Sequence, residues 1–376
     1  MKIHIVAIGF AFSLLFSANG EARSRATEDP TGQPIAKGQQ RHRKRPKRVN
    51  RVDLVIALDT SGSMSGLISS ARQKLWDIVN VVGEKHQKAK LRVALLTYGS
   101  SGNENDGYVR VRSQLTSDLD SIYSKLFELS TSGGTEYVGR AVHRATRELD
   151  WHRGKRTLRV IFVAGNESAD QDRRMPVVKA LRQARRKGIF VNAIYCGNKR
   201  DSAARSWRRV ANGGRGVYAA IDHNNGTVNV ATPYDRRIKK LSEELNSTYV
   251  AYGKGGLRRA KLQKDQDNNA ERTHAAAGAA RAVAKAGSLY RNDHWDLVDA
   301  RKGGKHVRRG ELPAKLRKMS KAELDGYLNK METKRKKLRS EIKALAAQRK
   351  THIRKEVSKR GLKTDGAFDA AVMQGL

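Results

Sequence analysis

Cysteine is all but missing from this chain. Cys196 stands alone among 376 residues, so no intramolecular disulfide can form and a large core must hold the fold. It lies in the apolar stretch VNAIYCG with nothing nearby to lower its pKa, which marks a buried, inert thiol rather than a nucleophile. Acids are also scarce: 37 Asp and Glu stand against 76 Lys and Arg, and the formal charge of +39 points to acidic partners without saying anything about fold. Aromatics make up 6%, and no basic run is interleaved with them as in RNA-binding motifs. The basic residues are spread over the whole chain, and nucleic acid is not the expected partner. Beyond residue 16 no apolar run approaches the roughly 20 residues that span a bilayer.

What is present begins with MKIHIVAIGFAFSLLFSANGEARS, in which Lys2 precedes an apolar run from Ile3 to Phe16 and small residues allow cleavage after Gly20 or Ala22. Residues 1–22 are therefore expected to be a signal peptide, and the protein to be exported to the periplasm or outside the cell. Residues 23–50 are polar, basic and almost free of large apolar side chains, so a disordered linker is expected. Its run RHRKRPKR reads equally as a polyanion-binding arm or a solvated spacer.

From Val52 apolar strands alternate with amphipathic helices. VDLVIALD, LRVALLTYG, TLRVIFVAGN and IFVNAIYCG have the length and continuous apolarity of buried strands, and YVRVRSQL alternates like an edge strand. Between them GLISSARQKLWDIVNVV, YVGRAVHRATRELDW, MPVVKALRQARRKG and SAARSWRRVANGG carry helical spacing, and PYDRRIKKLSEELNSTYVAYG closes the series. This predicts an α/β fold over 51–253: a doubly wound, mostly parallel sheet with helices on both faces. Sites in such sheets form beyond the carboxyl ends of the strands.

Residues 254–285 are polar and Ala-rich and are read as a partly helical linker, followed by a helical, partly coiled-coil tail over 286–376. Ser320 and Glu323 form a capping-box pattern. Leu324, Leu328, Met331, Leu338, Ile342 and Leu345 then make a short heptad seam, broken where Arg335 and Arg349 occupy its register. Self-association and docking back on the same chain are both compatible with it.

The chemistry concentrates in LVIALDTSGSMS (54–65), an acid and hydroxyls directly after the first apolar run. A phosphatase nucleophile of the haloacid-dehalogenase type needs a second acid two residues on, where Ser61 stands. The aspartic-protease string Asp-Thr-Gly-Ser is interrupted by Ser61 and belongs to antiparallel folds. A serine nucleophile would need a histidine in reach, and neither His143, inside a helix, nor His223, in a polar turn, is placed near the cluster. The chain is read as a non-enzyme. A hard divalent cation remains: Asp59, Ser61 and Ser63 alternate on one loop and offer the single carboxylate and neutral oxygens that Mg²⁺ accepts, with Gly62 expected to tighten the turn.

Asp-x-Ser-Gly-Ser after a buried first strand resembles the metal-ion-dependent adhesion site of von Willebrand factor type A domains. The order of LDTSGSM, LRVALLTYG, SGGTEYVGRAV, IFVAGNE and the closing helix is similar to that family from about Val52 to Gly253. The resemblance implies a Rossmann-like fold, metal ligands at Asp59, Ser61, Ser63 and Thr135, and a cation that is Mg²⁺ or another divalent ion such as Mn²⁺ or Ca²⁺. The family's fourth strand ends in Thr-Asp-Gly, and its aspartate completes the site. Here Gly165 takes that place, with Asn166 and Glu167 next in line as substitutes. The segment Trp295–Ala300, WDLVDA, is also similar to one in the charged tails of a group of exported bacterial proteins with this domain.

The resemblance implies capture of a protein partner through an Asp or Glu carboxylate. In the alternative, the hydroxyls merely cap the first helix, the metal site is vestigial, and the basic arm and tail bind envelope polyanions or anionic surfaces.

Overall fold

The computed structural model describes residues 49–86, 88–221 and 230–361. The expected signal peptide, nearly all of the basic linker, His223 and the last part of the tail lie outside them. The described residues belong to one compact unit, Lys47–Leu376.

The alternating sequence pattern folds as read. Strands β1 (Arg51–Asp59), β2 (Lys90–Tyr98), β3 (Val109–Thr116), β4 (Thr157–Gly165), β5 (Phe190–Cys196) and β6 (Arg215–Ile221) form one sheet in the order β3-β2-β1-β4-β5-β6. All neighbours are parallel except β3, the edge strand, which runs antiparallel to β2. Interleaved helices are α1 (Ser65–Lys85), α2 (Leu119–Phe127), α3 (Val138–Glu148), α4 (Val177–Arg186), α5 (Ala204–Gly214) and α6 (Asp235–Asn246).

Strand β1 explains why its sequence is apolar at every position. Val52, Leu54, Ile56 and Leu58 face a core built with α1 and α2, whereas Val55 and Ala57 face a second core built with α3, α4 and α5. β1 is paired along its length with β2 on one side and β4 on the other. Crossover from β1 to α1 therefore occurs at the middle of the sheet, and the hydroxyl loop emerges there. Cys196 is buried as expected, and burial pushes its thiol pKa well up.

Residues 254–285, expected as a linker, are instead two packed helices, α7 (Gly256–Thr273) and α8 (Ala275–Ala286). Alanines of α8 let it approach α1 and α6 closely, and its two polar-looking positions, Arg281 and Lys285, are core residues. Arg281 donates to Asp120 at 2.7 Å and to the Gln263 carbonyl at 2.8 Å, and Lys285 donates to Asp267 at 2.7 Å and to Asn246 at 2.6 Å. A burial pattern made of paired charges leaves no hydrophobic period to read. The closing helix is also shorter than expected: α6 stops at Asn246 and Ala251 bridges to Asp296.

The tail contains α9 (Leu297–Lys302), α10 (Ala314–Arg317) and α11 (Lys321–Lys359). Ser320 and Glu323 form the reciprocal capping box at the start of α11, at 2.7 and 3.2 Å. The seam of α11 docks on its own chain, with Leu338 and Ile342 packing against α6 and α8 and Leu328 against Val250, Tyr252 and Leu297. The two arginines that break the heptads are its anchors. Buried Arg335 donates to Asp296 at 2.7 Å, Asp299 at 3.0 Å and Thr248 at 3.0 Å, and Arg349 donates to Asp235 at 2.8 Å. Among the described residues no helix is long and apolar enough to cross a membrane.

Candidate functional site at the carboxyl end of the sheet

Three loops meet beyond β1. The first carries Asp59 to Met64, the second follows β2 at Gly99, and the third contains Gly133 to Glu136. Ser132 N–H donates to the Thr60 carbonyl at 3.0 Å, Gly62 N–H to the Gly133 carbonyl at 3.0 Å, and Gly99 bridges to Thr135. Thr60 fastens the first loop to β2, its amide and hydroxyl both donating to the Tyr98 carbonyl at 2.7 and 2.9 Å. Its hydroxyl is thereby occupied, leaving Ser61, Ser63 and Thr135 as the oxygens on offer.

Asp59 is fully buried at the end of β1. Its Oδ1 accepts from the Ser61 N–H at 2.8 Å, while Oδ2 is buried with no hydrogen-bond partner among the described residues. The Ser61 and Ser63 hydroxyls lie 3.4 Å apart. Neither serine caps a helix: the short 3₁₀ turn Gly62–Met64 and α1 both begin without a side-chain capping bond. Gly62 has an ordinary φ, and a Cβ there would sit 3.6 Å from the Gly133 carbonyl, so the turn does not require glycine. The position that does is Gly99, at φ +89°, where a Cβ would stand 2.5 Å from Asp59 Oδ1.

At Gly165, where the family aspartate would stand, a Cβ would lie 2.5 Å from the Tyr98 hydroxyl, 3.0 Å from Asp59 Oδ2 and 3.2 Å from the Trp207 ring. The Tyr98 hydroxyl is fixed there by donating to the Ala164 carbonyl at 2.8 Å. No larger residue has room. Of the two substitutes, Asn166 joins the site: its Nδ2 donates to Ser63 Oγ at 3.0 Å, and its Oδ1 is buried without a partner among the described residues. The Glu167 side chain is exposed, and that residue takes part through its backbone, the N–H donating to Glu136 Oε2 at 3.3 Å.

Sequence reading missed Glu136. The residue is 2% exposed and its carboxyl faces Asp59, placing a second acid at the site from the third loop rather than from β4. Burial, with the Glu136 carboxyl beside it, holds the Asp59 pKa well above the usual carboxylate range, and burial raises Glu136 as well. The signal was present in Gly-Gly-Thr-Glu: the acid follows directly after the threonine that the motif provides.

Among the described residues no cluster of three His, Cys, Asp or Glu side chains has a metal-binding arrangement. The donors here are of another kind. Two acids, Asp59 and Glu136, the hydroxyls of Ser61, Ser63 and Thr135, and the partnerless Asn166 carbonyl are all hard oxygens. A buried carboxylate oxygen with no donor and hydroxyls that cap nothing match what a hard divalent cation takes.

Residues 53–225 match the family model of the von Willebrand factor type A domain. Comparison with curated proteins gives no match. Among solved structures, proximal thread matrix protein 1 from the mussel byssus is 12% identical over 47% of this chain and 43% of its own, at a TM-score of 0.36. The SpRpn10 VWA domain is 18% identical over 48% of this chain and 98% of its own, also at 0.36. The pilus adhesin SpaC from Lactobacillus rhamnosus GG is 14% identical over 47% of this chain and 28% of its own, at 0.36. The chain thus spans less than half the length of the mussel and pilus proteins. The family match ends at residue 225, before α6 and the tail begin.

Proposed function

We propose that the carboxyl end of the sheet binds a divalent cation, Mg²⁺ or another such as Mn²⁺ or Ca²⁺, and with it an Asp or Glu carboxylate of a protein partner, in an exported protein. Members of this domain family often mediate protein binding and adhesion, which supports a binding role over a catalytic one. The observation that carries the reading is Asp59 Oδ2, a buried carboxylate oxygen without a donor among the described residues, set beside two serine hydroxyls that cap no helix.

Asp59 would hold the ion with Ser61, Ser63 and Thr135, and Glu136 replaces the acid that Gly165 cannot supply. Bound there, the cation would supply a positive centre able to accept a partner's carboxylate oxygen. Glu136 sets how much positive charge is left, since two ionised carboxylates neutralise a divalent ion and one leaves a net unit. Asn166 fixes the Ser63 hydroxyl by donating to it.

Calorimetric titration of the full chain with Mn²⁺ tests this directly. Saturable binding that is lost in Asp59→Asn is expected. Heat that does not saturate, or an affinity that Asp59→Asn leaves unchanged, overturns the reading.

A further inference from the structure

At the other end of the same strands lies an open cleft of about 810 Å³, within the range of roughly 300–1,000 Å³ common for ligand sites. Among the described residues five cationic side chains line it, Arg51, Lys88, Lys90, Lys155 and Arg156, and no acid does. The strand register places these cations together. Arg51 opens β1 and is the direct neighbour of Lys90 at the start of β2 and of Thr157 at the start of β4, just after Lys155 and Arg156.

Their backbones are fixed to one another. Asn50 N–H donates to the Arg156 carbonyl at 2.9 Å, Lys90 N–H to the Asn50 carbonyl at 2.9 Å, and Thr157 N–H to the Gly154 carbonyl at 3.2 Å.

Exposed cations are usually just solvated, and the distribution of acids separates this cluster from that case. At the same edge Arg92 pairs with Asp53 at 2.9 Å and lies 3.9 Å from Asp150, and His152 also bonds Asp53. Asp53 and Asp150 are thus taken up by Arg92, and although Glu84 and Asp293 lie in the cavities that adjoin Lys88 and Lys90, none of the five cleft cations is in an ion pair among the described residues. Five like charges on a rigid turn cluster repel one another until an anion joins them.

Among the described residues no aromatic side chain lines the cleft, so they offer no base-stacking surface of the kind a nucleic acid uses. Lysines and arginines together suit phosphate, Arg by paired hydrogen bonds and Lys as a point charge.

We propose that this cleft at the amino ends of β1, β2 and β4 binds clustered phosphate groups, either of a soluble polyphosphate or of lipid headgroups.

The test uses the full chain in EDTA, so that chelation at the opposite end contributes nothing. The triple variant Lys88→Gln, Lys90→Gln, Lys155→Gln is compared with Lys179→Gln, Arg182→Gln, Arg186→Gln on the exposed face of α4, which removes the same charge elsewhere. All six residues are exposed, so both variants should keep the wild-type circular dichroism. Binding of inorganic tripolyphosphate is measured by calorimetry, and binding to vesicles of equal parts phosphatidylcholine and phosphatidylglycerol by co-sedimentation. The cleft variant is expected to weaken tripolyphosphate about tenfold or more and the α4 variant about twofold or less. A cleft-specific loss on vesicles as well assigns the ligand to headgroups; loss confined to tripolyphosphate assigns it to a soluble anion. Equal weakening by both variants with both probes would overturn the proposal, leaving only the general charge of the chain.

Discussion

The Tyr98 hydroxyl occupies the space in front of Gly165 that a side chain would need, and it is held there by the Ala164 carbonyl. One residue of β2 thereby decides which residue β4 can offer to the site. Gly165→Ala should cost about 1–3 kcal/mol through overpacking. Urea denaturation in wild-type and Tyr98→Phe backgrounds should give a smaller penalty in the second, because the 2.5 Å approach is to the hydroxyl itself. Equal penalties would show that Asp59 or Trp207, not Tyr98, closes the position.

Glu136 carries the second test. Glu136→Gln keeps the shape and removes the charge, and Mn²⁺ affinity should fall by about ten- to a hundredfold. Glu167→Gln, with its exposed side chain, should change affinity by less than about threefold. A reversed ranking would assign the missing acid to Glu167.

The two buried acids also set a pH dependence. Asp59 has a folded pKa raised above its unfolded value, so its folded form is favoured at low pH and its contribution is lost as pH rises from the ordinary carboxylate range toward the raised value. At neutral pH in EDTA, Asp59→Asn should therefore be more stable than wild type, by about 1–3 kcal/mol. Saturating Mg²⁺ should reverse the order, since only wild type gains from the ion. Urea melts in the two conditions decide it, and a wild type that is the more stable in EDTA would contradict the burial argument.

Arg335 supports the tail. Arg335→Met leaves Asp296 and Asp299 buried without their cation and should cost about 3–5 kcal/mol. Hydrogen exchange should show α11 losing protection while β1 and β4 keep theirs. Loss of protection across the whole sheet would mean that the tail and the domain unfold as one unit.

Strand β1 was legible because burial on both faces writes itself as continuous apolarity; Asp59, Ser61 and Ser63 were named from the spacing of one short loop, and Thr135 only from the family resemblance. α7 and α8 were not legible, because Arg281 and Lys285 bury charge rather than hydrocarbon, and sequence periodicity records hydrocarbon alone. Glu136 escaped for a related reason: its importance comes from facing Asp59 across two loops, a relation that 76 intervening residues conceal. Arg335 and Arg349 were seen, but as faults in a heptad; their acids lie on other segments, and only the fold shows what they hold.

β1 begins at the cationic cleft and ends at Asp59, a nine-residue strand of roughly 26 Å. A partner held at one end and a phosphate-bearing anchor at the other would pull on the same covalent backbone. The load would run along the strand, parallel to its length, and the ladders to β2 and β4 would resist it in shear along their whole registers rather than one bond at a time. Mechanically, the domain would then be a short tether whose two grips are the ends of one strand.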